Sequence, residues 1–216
     1  MEANYEQDFT ILPGLGQRTT DLVIFEDGEK AGVKTCILMS PTIYGIGTGL
    51  FNRTSIQINS LIRAAQRGGF TPVIGKGDAE WDHVHIEDLA GLYELILARI
   101  LNGDDLPSGA RGVYFNETGH HSWREVSERI AKAGKETGFL VSEEIREIGL
   151  EEGGRVLQKP LDVVELGFAS NSRTRADRAR EIGWAPQIHR ESGIPDSGPP
   201  VDADAVSLAM RLIVCH

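Results

Sequence analysis

The sequence predicts an α/β protein, and three observations carry that expectation. Short β-rich runs alternate with longer runs of helical period, in the order helix, strand, helix, two strands, helix, strand, helix. VKTCILM at 33–39 is apolar on both faces, which suits a buried parallel strand. A composition of 40% hydrophobic and 25% charged residues over 216 positions is ordinary for a globular chain with a well-buried core.

The elements follow in order. Residues 1–18 are polar and broken by Pro13-Gly14 and Gly16. Thr19 or Thr20 caps a helix running to about Lys30, and Gly32 closes it. After VKTCILM, the stretch SPTIYGIG at 40–47 opens a glycine-rich loop. Ile58, Leu61, Ile62 and Ala65 then fall on one face of a helix over Ser55–Arg67, ended by Gly68-Gly69. TPVI and DHVHI read as two short strands around Gly75–Asp78. The helix at 87–101 carries the stripe Leu89, Leu92, Ile96, Ile100, with Glu87 and Asp88 at its positive end. GVYFNE at 112–117 is a strand, and Ser122-Trp123-Arg124-Glu125 is a capping box before a helix burying Trp123, Val126 and Ile130. Residues 142–159 read as two helical pieces, and Ser172 as the cap of the Arg-rich helix RTRADRAREI. From 187 to 216, PDSGPP and DADA precede a last apolar run, which reads as a loose C-terminal tail.

Composition excludes several classes. A net charge of −10 argues against a nucleic-acid groove, which needs clustered Lys and Arg. The only two cysteines, Cys36 and Cys215, lack metal or redox spacing and fit a reducing compartment. MEANYEQDFT has no basic start or apolar core, and no apolar run reaches the roughly 20 residues that span a bilayer. A cytoplasmic protein without membrane or nucleic-acid partners is the expectation.

Candidate sites each have a bland alternative. Gly45-Ile46-Gly47-Thr48-Gly49 follows a strand, but its G-x-G-x-G spacing is not the dinucleotide fingerprint, and no Gly-Lys-Ser/Thr loop occurs. His83 and His85 lie at i and i+2 on a strand, so both face one way and a metal pair is geometrically possible. No third ligand has diagnostic spacing, so one histidine is expected as a polar group at a strand end and the other as a cleft wall, with no metal. His120-His121 is expected in an exposed loop, Asp88 as a helix-terminal acid, and the arginines at 173, 175, 178 and 180 as a solvated face.

Taken together, SPTIYG after a buried strand, then GKGDAEWDHVHIEDLAGLY, then GVYFNETG before a Ser-capped helix resemble the extended short-chain dehydrogenases. This is the NAD-dependent epimerase/dehydratase family, here in a divergent fungal form, over roughly Thr19 to Pro186. The family reads Arg-Pro-x-x-x-Tyr-Gly, then Arg-Asp-Phe-x-x-Val-x-Asp, then Tyr-Asn. The resemblance implies an incomplete Rossmann-like NAD(P)-binding fold, contributing its last parallel strand and helix, plus a small α/β substrate-binding lobe. It implies a residual nucleotide-binding part at 1–52, a substrate lobe with returning Rossmann elements at 53–186, and the tail at 187–216. Pro41, Thr42, Ile43 and Tyr44 would border the nicotinamide of NAD or NADP, and Asn52, Trp81, His83 and His85 would face a small-molecule substrate. Trp81 stands where the family has Arg, which removes an expected contact to a sugar-nucleotide phosphate.

The G-x-x-G-x-x-G turn and the Tyr-x-x-x-Lys dyad, in which Lys lowers the Tyr pKa for proton transfer, are absent. Tyr5, Tyr44, Tyr93 and Tyr114 are followed four residues on by Phe9, Thr48, Leu97 and Thr118. No catalytic residue is therefore assigned. The expectation is the C-terminal portion of such an oxidoreductase or epimerase, inactive alone, binding cofactor weakly, and prone to self-association through an open sheet edge. The alternatives are a non-catalytic ligand-binding or regulatory module and a shortened product without function of its own.

Overall fold

The computed structural model describes residues 16–51 and 53–188, so the expected tail beyond 188 and the stretch 1–15 lie outside the described residues. Helix α1 spans Gly16–Ala31 and ends at Gly32, whose φ of 67° needs a residue without Cβ. Strand β1 is Ile37–Met39, shorter than VKTCILM, and it pairs in parallel with β5, Val113–Phe115. Where an open loop was expected, SPTIYG instead continues into a strand, β2 (Thr42–Tyr44). Helix α2, Gln57–Gly68, buries Ile58, Leu61, Ile62 and Ala65 as its spacing requires, and stops on left-handed Gly69.

Strand β3 (Thr71–Ile74) precedes β4 (Glu80–His85), which runs directly into α3 (Ile86–Leu101). Leu89, Leu92 and Ile96 are buried as expected, whereas Ile100 is exposed. A 3-10 turn at Gly109–Arg111 leads into β5. GHHS then forms β6 (Gly119–Ser122), and the Ser122/Glu125 capping box opens α4 (Trp123–Thr137). The segment expected to be two helices begins instead with β7 (Ile145–Ile148). Its charged Arg146 and Glu147 hide a strand that β3 recruits in parallel. Helices α5 (Leu150–Leu157) and α6 (Leu161–Phe168) follow. The Arg-rich run is helical only over α7 (Asp177–Glu181), because Ser172 bridges to Trp81 instead of capping a helix.

Among the described residues three small sheets result: β1–β5, β2–β4–β6 and β3–β7. In the middle sheet β4 is parallel to β2 and antiparallel to β6. Residues alternate across a strand, and the register therefore puts Thr42, Tyr44, Trp81, His83, His85 and His121 on one face, with Ile43, Asp82 and Val84 on the other. The histidine face is turned toward a core holding Tyr44, Leu61, Ile62, Trp123, Ile130 and Phe168. The opposite face is turned toward another core, of Val84, Leu89, Leu92, Tyr114, Ala179 and Trp184. Each fully buried Leu or Ile contributes about 1.5–3 kcal/mol relative to exposure.

Candidate functional site

The carboxyl ends of β2 and β4 lie side by side, with Tyr44 opposite His85 and Thr42 opposite His83. Tyr44 is buried, and both histidine rings meet its ring nearly at right angles, with centroids 5.3 Å (His83) and 5.1 Å (His85) away. This edge-to-face arrangement suits the quadrupole of an aromatic ring. Thr42 is also buried; its hydroxyl lies 3.4 Å from Gln57 Oε1, and Gln57 in turn donates to the Gly167 carbonyl at 2.8 Å. Pro41 and Ile43 are half-buried, Ile43 against the core around Val84.

The two histidines do different things. His83 is buried and its ring stacks on His121 at 5.4 Å and 15°, with the two Nδ1 atoms 3.1 Å apart. His121 was expected in an exposed loop; instead β6 alternation turns it inward while His120 faces solvent. His85 is half-buried and is the N-cap of α3, its Nδ1 accepting the Glu87 N–H at 3.2 Å. Burial lowers the His85 pKa, against the opposing pull of the Glu87 and Asp88 carboxylates. The neutral ring is thus the favoured form.

Glycines make room for both rings. A Cβ at Gly45 would collide with His85 Nε2 and lie 2.7 Å from its Cδ2; the φ of 92° there already excludes most side chains. A Cβ at Gly119 would lie 2.7 Å from His83 Nε2.

Trp81 is half-buried; its indole N–H donates to the Ser170 carbonyl at 2.8 Å, and its ring lies 5.9 Å from that of Trp123. Asn52, the remaining expected substrate contact, lies outside the described residues. Asp88 proves more than a helix-terminal acid, since its carboxylate accepts the Gln187 N–H at 2.7 Å and the Ile188 N–H at 3.1 Å. Each arginine of the run finds a partner within the chain, although Arg175 remains solvated. Arg173 pairs with Glu80 and with buried Asp82, Arg175 with Asp177, Arg180 with Glu117, and Arg178 donates to the Val113 carbonyl at 3.1 Å. The inward His121 and the spacing glycines were missed from sequence, since Gly-His-His-Ser carries no apolar alternation to mark a strand or its inner face. Among the described residues no helix is long and apolar enough to cross a membrane.

Residues 18–107 match the NAD dependent epimerase/dehydratase family. An oxidase of Acremonium sp, oxidase ucsJ, is 24% identical over 163 residues, covering 71% of this chain and 46% of the oxidase. Among solved structures, RMD of Pseudomonas aeruginosa, complexed with NADPH, matches 90% of this chain and 51% of its own length at 16% identity and a TM-score of 0.51. DesIV of Streptomyces venezuelae, a dTDP-glucose 4,6-dehydratase with NAD and TYD bound, matches 89% and 48% at 18% identity and a TM-score of 0.53. A dTDP-glucose 4,6-dehydratase of Bacillus anthracis in complex with NAD matches 94% and 52% at 13% identity and a TM-score of 0.55. The chain spans about half the length of these relatives. At such identities the structural matches establish the fold, a mixed α/β arrangement of Rossmann-like type. The matched segment and the fold thus agree in their likeness to the NAD dependent epimerase/dehydratase family, whose model covers residues 18–107 of this chain.

Proposed function

We propose that this chain forms the nicotinamide-side and substrate-side walls of an NAD(P)-dependent oxidoreductase or epimerase/dehydratase cleft. The observation carrying this reading is the parallel pairing of β2 with β4, which sets Tyr44 beside His85 at the carboxyl ends and Thr42 beside His83 behind them, with Trp81 toward the amino end of β4. Ligands of open α/β sheets bind beyond the carboxyl ends of parallel strands.

The residues present fit the nicotinamide end of such a cofactor. β2 is an edge strand among the described residues, and an edge offers backbone donors and acceptors of the kind a carboxamide needs. When bound, the cofactor supplies a hydride donor or acceptor at its ring. Thr42 and Tyr44, both anchored in the core, hold the edge in place, and the aromatic face of β4 shields it from water.

The pyrophosphate end has no counterpart, since the sequence contains no G-x-x-G-x-x-G turn. It also lacks a Tyr-x-x-x-Lys pair to move a proton. The chain alone therefore binds NAD(P) no tighter than about 1 mM, or about −4 kcal/mol, and does not turn over. The edge of β1 that is unpaired among the described residues, with Val23, Ile24 and Val33 exposed nearby in sequence, supports self-association.

Amide NMR shifts with millimolar nicotinamide mononucleotide test the assignment. Changes centred on residues 42–45 are expected, and their absence would overturn the reading. Micromolar binding of NADH by calorimetry would overturn the weak-binding half alone.

A further inference from the structure

We propose that His85 is a neutral hydrogen-bond donor whose Nε2–H meets a carbonyl or carboxamide oxygen of an uncharged ligand. The placing of that ligand rests on the cleft assigned above; the donor itself rests on geometry.

An imidazole nitrogen that accepts a hydrogen bond carries no proton, so its partner nitrogen must carry it in the neutral ring. His85 Nδ1 accepts the Glu87 N–H at the start of α3, a helix of 16 residues. The ring proton consequently sits on Nε2. Helix α3 fixes the tautomer from one side, and the edge-to-face contact with Tyr44 fixes the plane of the ring from the other.

The Nε2 side of the ring lies against Gly45, whose absent Cβ is what leaves room for the ring in this orientation. The charged groups acting on His85 are Glu87 and Asp88, both from α3, and Asp88 is already engaged by Gln187 and Ile188. Burial outweighs these carboxylates and disfavours the cation. A neutral imidazole at a helix N-terminus is a good partner for a carbonyl whose oxygen gains negative charge, and a poor one for a phosphate.

Two substitutions separate the donor role from the capping role. Asn places an oxygen where Nδ1 lies, so H85N keeps the cap and loses the donor. Gln places its amide nitrogen near the position of Nε2, so H85Q keeps a donor and weakens the cap.

Two-bond 1H–15N spectra of the full chain read the tautomer directly, with nicotinamide and cyclohexanone as probes. The expected result is an Nε2-protonated ring whose Nε2–H shifts on adding at least one probe. H85N should lose at least tenfold in affinity while its Tm stays within a few degrees of wild type, and H85Q should recover most of the binding. An Nδ1-protonated ring, no Nε2–H shift with either probe, or wild-type affinity in H85N would overturn the proposal. The arms separate the two readings. Nicotinamide moving residues 42–45 while neither probe moves Nε2–H removes the donor and leaves the cofactor wall. Cyclohexanone moving Nε2–H while nicotinamide moves nothing removes the cofactor wall and assigns the donor to a substrate carbonyl.

Discussion

Around β3 and β7, helices α2 and α4 bury almost all of their apolar stripes; around β1 and β5, helices α1 and α3 do not. Ile62 and Ile130 are wholly buried in the first region. In the other, α3 buries Leu89, Leu92 and Ile96 yet also exposes Tyr93, Leu97, Ile100 and Leu101, and α1 exposes Val23 and Ile24. One region is closed on itself; the other has apolar surface to spare. A helical stripe read from sequence tells that a helix packs, not how many sides it packs on.

The contrast can be broken by substitution. The largest effect is expected at the closed core, where Ile130→Ala should cost about 2–5 kcal/mol in denaturant unfolding. Leu97→Ala, equally apolar but outward on α3, should stay within about 0.5 kcal/mol. Equal costs at the two sites would erase the distinction.

Next in size is Gly45→Ala. A positive φ and a Cβ driven into His85 should together cost about 1–3 kcal/mol, visible as a lowered midpoint at unchanged slope. A neutral outcome would mean that the loop after β2 shifts freely, and the middle sheet would join the looser region.

Asp88→Asn probes the seam of the core around Val84. It replaces a charged acceptor of two backbone N–H groups, and about 1–2 kcal/mol should be lost. Limited proteolysis should accelerate near Gln187 in this variant; an unchanged cleavage pattern would show that the carboxylate does not hold the segment.

A smaller effect concerns pH. The folded-state pKa of His85 is depressed, so the unfolded chain binds the proton more readily. Stability from this group is complete above about pH 6.5 and is lost as pH falls through the depressed folded value. Melting temperature should decline between pH 7 and 5, and less steeply in H85N; parallel profiles would count against a neutral ring.

The smallest stability change, and the sharpest for the contrast, is expected at Val23→Ser on α1. Folding free energy should barely move, within about 0.5 kcal/mol, while self-association seen by sedimentation decreases. A strictly monomeric wild-type chain would remove the reason for that comparison.

Much of the fold was legible because its signals are local. The Ile58–Leu61–Ile62–Ala65 stripe and the Ser122–Glu125 box each sit within a few residues, and both formed as read. What was not legible depends on distant partners. Strand β7 looks helical in Glu143–Glu152 because its charges are consumed from outside: Arg146 stacks on Phe70 and Glu147 pairs with Arg124. Likewise, SPTIYG becomes a strand only because β4 offers a parallel edge. For the site, Tyr44, His83 and His85 were found together through a family pattern, yet His121 escaped, since nothing local tells which of two adjacent histidines a strand will turn inward.

Strand β4 lies between the two cores, and its position has a consequence for folding. Val84 serves one core, and its neighbours His83 and His85 share a face with Tyr44, which belongs to the other. Because side chains alternate, sliding β4 by a single residue would exchange the contents of the two faces at once. Val84 would leave an apolar setting just as polar rings arrived in one. Such a slipped form is penalised twice over. The pairing register that completes folding is therefore the same register that assembles the imidazoles, and a chain that has passed that checkpoint carries its histidines already packed against Tyr44 and one another.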